Sequence, residues 1–333
     1  MLRAYRMIDG RNERLGDDTP PETLAHACWI DLFSPTPQEV RQVERAFGLE
    51  LPSREEMREI ELSSRVYRED AGLFLTATVL CRADAPMPEM MDVTFVLTTP
   101  PPESGRTGTL ITLRYDDPKP FYGFHVQAAK QGQRLADGAN ALVLLLDAIL
   151  DRIADVLEVT GHDLNAVARE LMLTDGKNRH LGSDMQSALL KRIARAHDIT
   201  AKARESLVTL SRILAFLATA REFAVDKAVK ARLKTAVQDA QSLADYTAFL
   251  SNNISFQLDA LLGLVNIEQN NIVKIFSVAA TVFLPPTLVA TVYGMNFEVM
   301  PELSWTLGYP LALLLMVLSA VLPYLWFKHR GWL

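Results

Sequence analysis

The sequence predicts an α+β membrane protein with a mixed α/β domain at its N-terminus and two transmembrane helices at its C-terminus. Two C-terminal stretches contain no charged residue: Ile275 to Tyr293, over 19 residues, and Leu307 to Phe327, over 21. Each is long enough to cross a hydrocarbon core of about 30 Å. Before about residue 140 the sequence alternates between β-rich and helical patterns, and after it the helical periodicity is continuous.

The first predicted domain covers residues 1–135 and is expected to lie in the cytoplasm. Short β-rich runs bounded by turn residues predict its strands. These strands are Cys28 to Phe33, a hairpin from Val66 to Cys81 around Glu69-Asp70-Ala71-Gly72, Val93 to Thr98, and Thr109 to Tyr115. The proline-rich segments 100–102 and 117–120 are predicted to be loops, because proline disfavours helix at the residue before it.

Two helix starts are expected inside this domain. Thr36 is an N-cap residue followed by proline at the first helical position. Ser53 and Glu56 have the spacing of a capping box. We therefore expect one helix to begin after each cap.

Long helices are predicted for the rest of the chain. A helical hairpin over residues 136–222 contains helices at about 140–173 and 184–222. No proline occurs between Phe223 and Pro285, so one helix is expected from about Val225 to Tyr293, roughly 100 Å long. It would comprise a cytoplasmic stalk, residues 223–274, and a first transmembrane helix, residues 275–293. A helix this long needs copies of itself to cover it.

One face of this long helix stays small or polar even where the segment becomes apolar. Steps of four and three residues from Asp259 trace it through Gly263, Asn266, Asn270, Val273, Ser277, Ala280, Leu284, Thr287 and Thr291. We call these ten residues the polar stripe. Its polar members would be costly against lipid, whereas at a symmetric axis they would line water. Hydrogen bonding between neighbouring helices is the alternative explanation.

The distribution of basic residues predicts the orientation of the two spans. The connection of residues 294–306 contains no Lys or Arg, whereas Lys274 precedes the first span. Lys328, His329 and Arg330 follow the second span, residues 307–327, in a basic tail of residues 328–333. The positive-inside rule therefore places both termini in the cytoplasm.

Composition argues against several classes of function. Lys and Arg total 34 against 40 Asp and Glu, for a net charge of −6, and no long basic block is present to bind nucleic acid. Cys28 and Cys81 form neither a metal-binding pair nor a disulfide framework. The sequence contains no Walker-type glycine loop, which would indicate nucleotide binding, so no organic cofactor is expected.

The connection between the spans carries the most specific pattern in the chain. Tyr293-Gly294-Met295-Asn296 stands at the outer end of the first span, Met300-Pro301-Glu302-Leu303 follows, and Gly308-Tyr309-Pro310 opens the second. In this position the pattern resembles the CorA family of magnesium transport proteins. The segments 29–32, 60–65 and 327–333 are also similar to that family, so the resemblance covers nearly the full chain.

The resemblance implies a homopentamer in a bacterial inner membrane, with the long helix lining a pore and the second helix facing lipid. Gly294, Met295 and Asn296 would form the outer mouth that receives the hydrated ion. Further rings would follow along the pore. Thr287 and Asn270 would form polar rings, and Asp259 would form a carboxylate ring. Leu284 and Phe276 would form hydrophobic rings, although Phe276 lies one residue off the polar stripe.

Such a protein would take up hydrated Mg²⁺, with Co²⁺ and Ni²⁺ as further cargo, and intracellular Mg²⁺ would close it. Mg²⁺ dehydrates reluctantly and prefers oxygen, which suits a ring of amide and carbonyl oxygens. A membrane potential of about 100 mV would supply about 4.6 kcal/mol for two charges. The regulatory metal sites are not assigned, and the acidic row Asp147, Asp151, Asp155 and Glu158 is interpreted as a solvated helix face.

Glu298 and Glu302 of the connection have two interpretations. In a pentamer they would surround the outer mouth with carboxylates and concentrate cations there. They would equally well be solvated loop acids. The sequence favours neither interpretation.

Three other functions fit the sequence less well. A related branch of the family carries Zn²⁺, but no His or Cys lies between Asp259 and Glu302, which disfavours soft-metal ligands in the pore. A membrane-anchored sensor or scaffold is a second alternative, although it would not need a polar stripe. An enzyme using His125 or His162 as a base is not expected, because neither has a recognisable nucleophile or cofactor motif nearby.

Overall fold

The computed structural model describes residues 1–332 except 10, 17–18, 62–63, 100–107, 130–134, 174–181, 221–222, 224–225 and 297–299. The chain forms two compact units. The first comprises Met1–Glu170 with Ala188–Gln257, and the second comprises Leu171–Ser187 with Leu258–Leu333.

A seven-stranded sheet forms the centre of the first unit. Its strands are β1 (Leu2–Ile8), β2 (Arg11–Arg14), β3 (Trp29–Phe33), β4 (Val66–Glu69), β5 (Gly72–Cys81), β6 (Glu89–Thr98) and β7 (Leu110–Arg114). Their order in space is β2-β1-β3-β7-β6-β5-β4. The β3 and β7 strands run parallel, and the other neighbours are antiparallel. The sheet confirms the predicted mixed α/β character of this region.

Each predicted strand occurs, and two further strands were missed. Glu69 pairs with Gly72, so the β4–β5 hairpin turns at Asp70 and Ala71 as predicted. The missed strands β1 and β2 carry little of the alternation that identifies a half-buried strand. Ala4 and Tyr5 of β1 are adjacent and both buried, and β2 is a polar strand at the sheet edge.

Three short helices cover one face of the sheet: α1 (Pro21–Leu24), α2 (Pro37–Phe47) and α3 (Arg54–Glu59). Both predicted helix starts are confirmed, because Thr36 with Glu39 and Ser53 with Glu56 each form a complete capping box. The helices contribute Leu24, Val43 and Met57 to the core on this face, and the strands contribute Ile30, Leu32, Phe74, Val96, Ile111 and Leu113.

The prediction that residues 117–120 form a loop holds for Asp117 and Pro118 but is wrong for Lys119 and Pro120, because α4 (Lys119–Ala129) begins there. Pro120 occupies the first turn of that helix. Proline is tolerated there because the amides of a first turn have no intrahelical acceptor. The predicted loop at residues 100–102 lies outside the described residues.

A buried ionic network joins β3, β7 and α4 on the other face of the sheet. The fully buried carboxylate of Asp31 accepts hydrogen bonds from Arg114 Nε at 3.0 Å, Arg114 Nη2 at 2.8 Å and Thr112 Oγ1 at 2.8 Å, and it lies 2.8 Å from His125 Nε2. Burial alone would raise the pKa of Asp31. Hydrogen bonds from His125 and Arg114, together with the charge of Arg114, outweigh burial and lower the pKa to about 2.

Four long helices follow in the described chain: α5 (Gly138–Leu173), α6 (Ser183–Thr219), α7 (Lys227–Tyr293) and α8 (Gly308–His329). The first two are the helices of the predicted hairpin, whose predicted break at 174–176 lies outside the described residues. The α7 helix contains 67 residues and continues through Pro285 and Pro286. Both α7 and α8 include a segment long and apolar enough to cross a membrane.

Candidate functional site

The polar stripe lies on one exposed face of α7 in the second unit. All ten of its residues, from Asp259 to Thr291, are exposed in the single chain. The opposite face is less exposed: Val282 and Val289 are half-buried, and Val278 is only 6 % exposed. Residues at steps of three and four share one side of a helix. The stripe is therefore one continuous surface that a single copy of the chain leaves uncovered.

The hydroxyl groups of the stripe donate their hydrogens to their own helix. Ser277 Oγ donates to the Val273 carbonyl at 2.8 Å, Thr287 Oγ1 to the Phe283 carbonyl at 2.7 Å, and Thr291 Oγ1 to the Thr287 carbonyl at 2.7 Å. A hydroxyl has one hydrogen, so each oxygen offers only acceptor lone pairs to its surroundings. These bonds also satisfy the hydroxyl donors without a neighbouring helix.

The two prolines of α7 add further acceptors within the apolar segment. Pro285 and Pro286 have no amide hydrogen, so they cannot donate to the carbonyls of Thr281 and Val282 one turn earlier. In a membrane such carbonyls need another helix or water as a partner. The helix nevertheless does not end here, and it carries the stripe on to Thr291.

Large apolar side chains stand on and beside the stripe. Leu284 and Phe276, the predicted constrictions, are 66 % and 70 % exposed. Phe283 and Leu288 flank the stripe and are 70 % and 64 % exposed. Sequence reasoning missed these two flanking residues, because steps of four and three select a narrow row and ignore its neighbours. A full helical projection would have identified them.

The predicted outer mouth begins where α7 ends. Gly294, Met295 and Asn296 follow the helix directly and are all exposed. The Gly294 amide donates to the Ala290 carbonyl at 2.9 Å, which closes the last turn. A Cβ at position 294 would lie 3.0 Å from that carbonyl oxygen, so the turn favours glycine. Glu298 lies outside the described residues, and so does the side chain of Glu302.

One group of potential metal ligands occurs elsewhere in the described residues, formed by Cys81, Glu89 and Asp116. Arg82 already pairs with both carboxylates, at 3.1 Å for Glu89 and 2.9 Å for Asp116. Burial, reinforced by the charges of Asp116 and Glu89, raises the pKa of the Cys81 thiol to about 11. A protonated thiol beside neutralised carboxylates is a poor metal ligand, so no ion is assigned to this group.

Comparison with known proteins identifies the family. The sequence matches the family described as CorA-like Mg²⁺ transporter protein over residues 25–329. The chain belongs to this family. A relative from Escherichia coli (strain K12), named magnesium transport protein CorA, is 35 % identical over 336 residues and covers the whole of both chains. Mg²⁺ is therefore the ion of this family, and the chain is a membrane transporter rather than an enzyme.

Solved structures confirm the predicted fold class. The CorA magnesium transporter from Methanocaldococcus jannaschii matches with a TM-score of 0.76 at 17 % identity, over 100 % of this chain and 99 % of that one. The cytoplasmic domain of ZntB from Vibrio parahaemolyticus covers 79 % of this chain with a TM-score of 0.56 at 11 % identity. At such low identities these matches show the fold, and neither distinguishes Mg²⁺ from Zn²⁺.

The two histidines considered as catalytic bases lie in other settings. His125 belongs to the buried network, where its Nδ1 lies 2.9 Å from the Tyr5 hydroxyl. His162 is exposed on α5, 3.7 Å from Glu158. Membership of a transporter family leaves neither residue a catalytic role.

Proposed function

We propose that the chain forms a homopentameric channel that admits hydrated Mg²⁺ to the cytoplasm. The observation that carries this proposal is the polar stripe, whose ten exposed residues share one face of α7. Two candidate spans per chain cannot enclose water. Several copies must therefore turn this face toward a common axis, and five is the number that the family resemblance implies.

The chemistry of the stripe suits an ion that keeps its water. Water bound to a divalent cation directs its oxygen at the ion and its hydrogens outward, so the pore wall must accept hydrogen bonds. Ser277, Thr287 and Thr291 offer acceptors alone, because their own hydrogens bond the helix. The amide oxygens of Asn270 and Asn296 extend the same property toward both ends. Mg²⁺ gives up its waters reluctantly, so passage without dehydration lowers the barrier.

Entry and exit are assigned to the two ends of the stripe. Gly294, Met295 and Asn296 form the outer mouth, and Asp259 supplies a carboxylate ring at the cytoplasmic end. Glu298 and Glu302 draw cations toward the mouth. Val273 and Ala280 complete the wall with apolar atoms that hold no ion, which keeps transit fast.

Closure of the channel is assigned to Leu284 and Phe276. Five copies of an exposed apolar side chain around an axis form a collar from which water can withdraw, and dewetting stops ion flow. Phe283 and Leu288, on the flanks of the stripe, then contact neighbouring copies. This assignment explains why such large apolar residues border a polar surface.

Regulation by intracellular Mg²⁺ is part of the proposal. Carboxylates of α5 and α7 lie near one another: partial burial and then the charges of Asp147, Asp155 and Asp239 raise the pKa of Asp151, although Arg232, paired with Asp147 at 3.0 Å, lowers it. A divalent cation would relieve this repulsion. Depletion of Mg²⁺ would restore it and favour opening.

The driving force, the other transported ions and the cellular location complete the proposed function. A bacterial inner membrane with an inside-negative potential of about 100 mV provides about 4.6 kcal/mol for a doubly charged ion. Co²⁺ and Ni²⁺ form hydrated ions that the same oxygen-lined wall accepts. Lys274 and the basic tail orient both termini toward the cytoplasm.

Uptake into liposomes tests this function. The purified chain is reconstituted into vesicles that hold a Mg²⁺-sensitive dye, and an inside-negative potential is imposed. We expect uptake that depends on the potential and is blocked by cobalt hexaammine, which mimics a hydrated ion whose shell cannot exchange. Asn296→Ala should abolish the uptake.

Two adjacent residues provide a matched control. Asn270 lies on the stripe and Asn271 lies off it, and both are exposed. Asn270→Ala should slow Mg²⁺ entry, whereas Asn271→Ala should leave it unchanged. Uptake of Zn²⁺ with protons and none of Mg²⁺ would support the zinc alternative, and no uptake of any ion would support a sensor.

A further inference from the structure

The end of α8 folds back on itself in a Schellman motif. Gly331 is left-handed, with φ of 70°, and its amide donates to the Lys328 carbonyl at 3.1 Å. The Trp332 amide donates to the Phe327 carbonyl at 3.0 Å. These two bonds define the motif, which commonly brings an apolar residue back onto the last helical turn. Here the Trp332 ring lies 5.4 Å from that of Phe327.

This turn completes a row of three aromatic rings with a cation at each end. The Trp326 ring lies 5.1 Å from Phe327, which lies beside Trp332. Lys274 Nζ, from α7, is 5.8 Å from the centre of the Trp332 ring, and Arg330 Cζ is 5.3 Å from that of Trp326. Both distances are in the range of cation–π contacts. We call these five residues the basic aromatic cluster.

The two cations of the cluster are not neutralised within the described part of the chain. Neither Lys274 nor Arg330 takes part in any of its ion pairs. The first acidic residue after Lys274 is Glu298, beyond the apolar span. Exposed Lys328 adds positive charge at the same end of α8. This surface therefore carries a net positive charge that an anionic ligand would complement.

We infer that the basic aromatic cluster binds the headgroup of an anionic phospholipid, an inference that rests on the proposed placement of both helices in the bilayer. Basic residues at the cytoplasmic edge of a membrane attract anionic headgroups, and indole rings favour that interface. A choline headgroup fits the cluster poorly, because its outer rings already hold cations and no ion pair among the described residues brings a carboxylate to either cation. Exposed Leu322 and Leu325 of α8 offer an apolar surface to the acyl chains.

Titration with lipid, followed by native mass spectrometry of the full-length chain, tests the inference. The probes are phosphatidylglycerol, phosphatidylcholine and inorganic phosphate, added to protein in neutral detergent. Phosphatidylglycerol should bind the wild type, whereas phosphatidylcholine and free phosphate should bind far more weakly. Each cation at the interface contributes about fivefold in affinity, so Lys274→Gln with Arg330→Gln should weaken phosphatidylglycerol binding on the order of 20-fold.

Two further variants distinguish a specific lipid-binding site from nonspecific attraction to positive charge. Lys227→Gln with Lys230→Gln removes the same charge from exposed positions at the other end of α7, and it should bind like the wild type. Trp332→Ala keeps both cations but removes the ring that holds Lys274, and it should weaken binding severalfold. Equal losses of affinity in the two double variants would overturn the inference. It would also be overturned if phosphatidylglycerol bound with unchanged affinity to the double variant of Lys274 and Arg330 and also to Trp332→Ala.

The channel proposal can fail separately from this inference. Asn296→Ala should lose Mg²⁺ uptake in phosphatidylcholine vesicles and keep the affinity of the wild type for phosphatidylglycerol. Absence of uptake by the wild type would contradict the channel proposal while leaving the lipid titration intact. Unchanged phosphatidylglycerol binding after removal of the two cations would contradict the lipid site alone.

Discussion

The buried Asp31 network offers a sharp test of what stabilises the N-terminal domain. Asp31→Asn removes the charge that balances Arg114, and both side chains are fully buried. Breaking a buried ion pair by removing one partner costs about 3 to 5 kcal/mol. Asp117 still contacts Arg114 Nη1 at 2.6 Å, so we expect a loss of about 3 kcal/mol, near the lower limit.

Thiol labelling measures this loss in the intact protein. Cys28 and Cys81 are the two cysteines of the chain, and both are buried in the domain that contains Asp31. Burial raises the pKa of the Cys28 thiol and also that of Cys81, so the folded state reacts slowly. In detergent, Asp31→Asn should raise the labelling rate on the order of 100-fold, as about 3 kcal/mol implies.

Asp117→Asn is the matched control for this experiment. It removes a carboxylate from the same guanidinium, but the Asp117 side chain is 49 % exposed. An exposed ion pair contributes about 0 to 1 kcal/mol, so labelling should rise about fivefold or less. Equal labelling rates for the two variants would refute the argument that burial makes the Asp31 pair critical.

Three further predictions follow from the same structure. The pKa of Asp31 is lowered from 3.8 to about 2, so its stabilising effect is nearly complete at about pH 5 and is lost as the pH falls below both values, to about pH 1. The gap in unfolding free energy between wild type and Asp31→Asn should shrink by about 2.5 kcal/mol over this range, measured by urea unfolding with a disulfide reagent that reacts with thiols in acid. Thr287→Val removes an acceptor from the stripe and should slow Mg²⁺ uptake by about fivefold or more, whereas Thr281→Val, which removes a similar back-bonded hydroxyl off the stripe, should not. Leu284→Asn wets the proposed collar and should raise uptake at high internal Mg²⁺, where the wild type is expected to close.

Local sequence signals predicted much of the fold. The capping boxes at Thr36 and Ser53 need residues three positions apart, and the chain satisfies both. The long α7 follows from helical periodicity without an intervening proline before Pro285. Where local pattern was weak, prediction failed, as in β1, where adjacent Ala4 and Tyr5 are both buried by long-range packing.

Other features depend on contacts distant in sequence. Asp31 meets Arg114 and His125 across separations of 83 and 94 residues, which a single sequence does not encode as a pattern. The stripe itself was readable from its spacing. The direction of its hydroxyl hydrogens cannot be predicted from the sequence, because it depends on the side-chain rotation of each Ser and Thr along α7.

Cysteine accessibility tests most directly whether the stripe faces an aqueous ion pathway. Both natural cysteines are buried, so a cysteine introduced into α7 can be probed in the native background. We would compare Thr287→Cys, on the stripe, with Val289→Cys, on the half-buried opposite face, and measure block of Mg²⁺ uptake by external Cd²⁺. Block of Thr287→Cys alone is the predicted result. Block of Val289→Cys with no effect on Thr287→Cys would contradict the account.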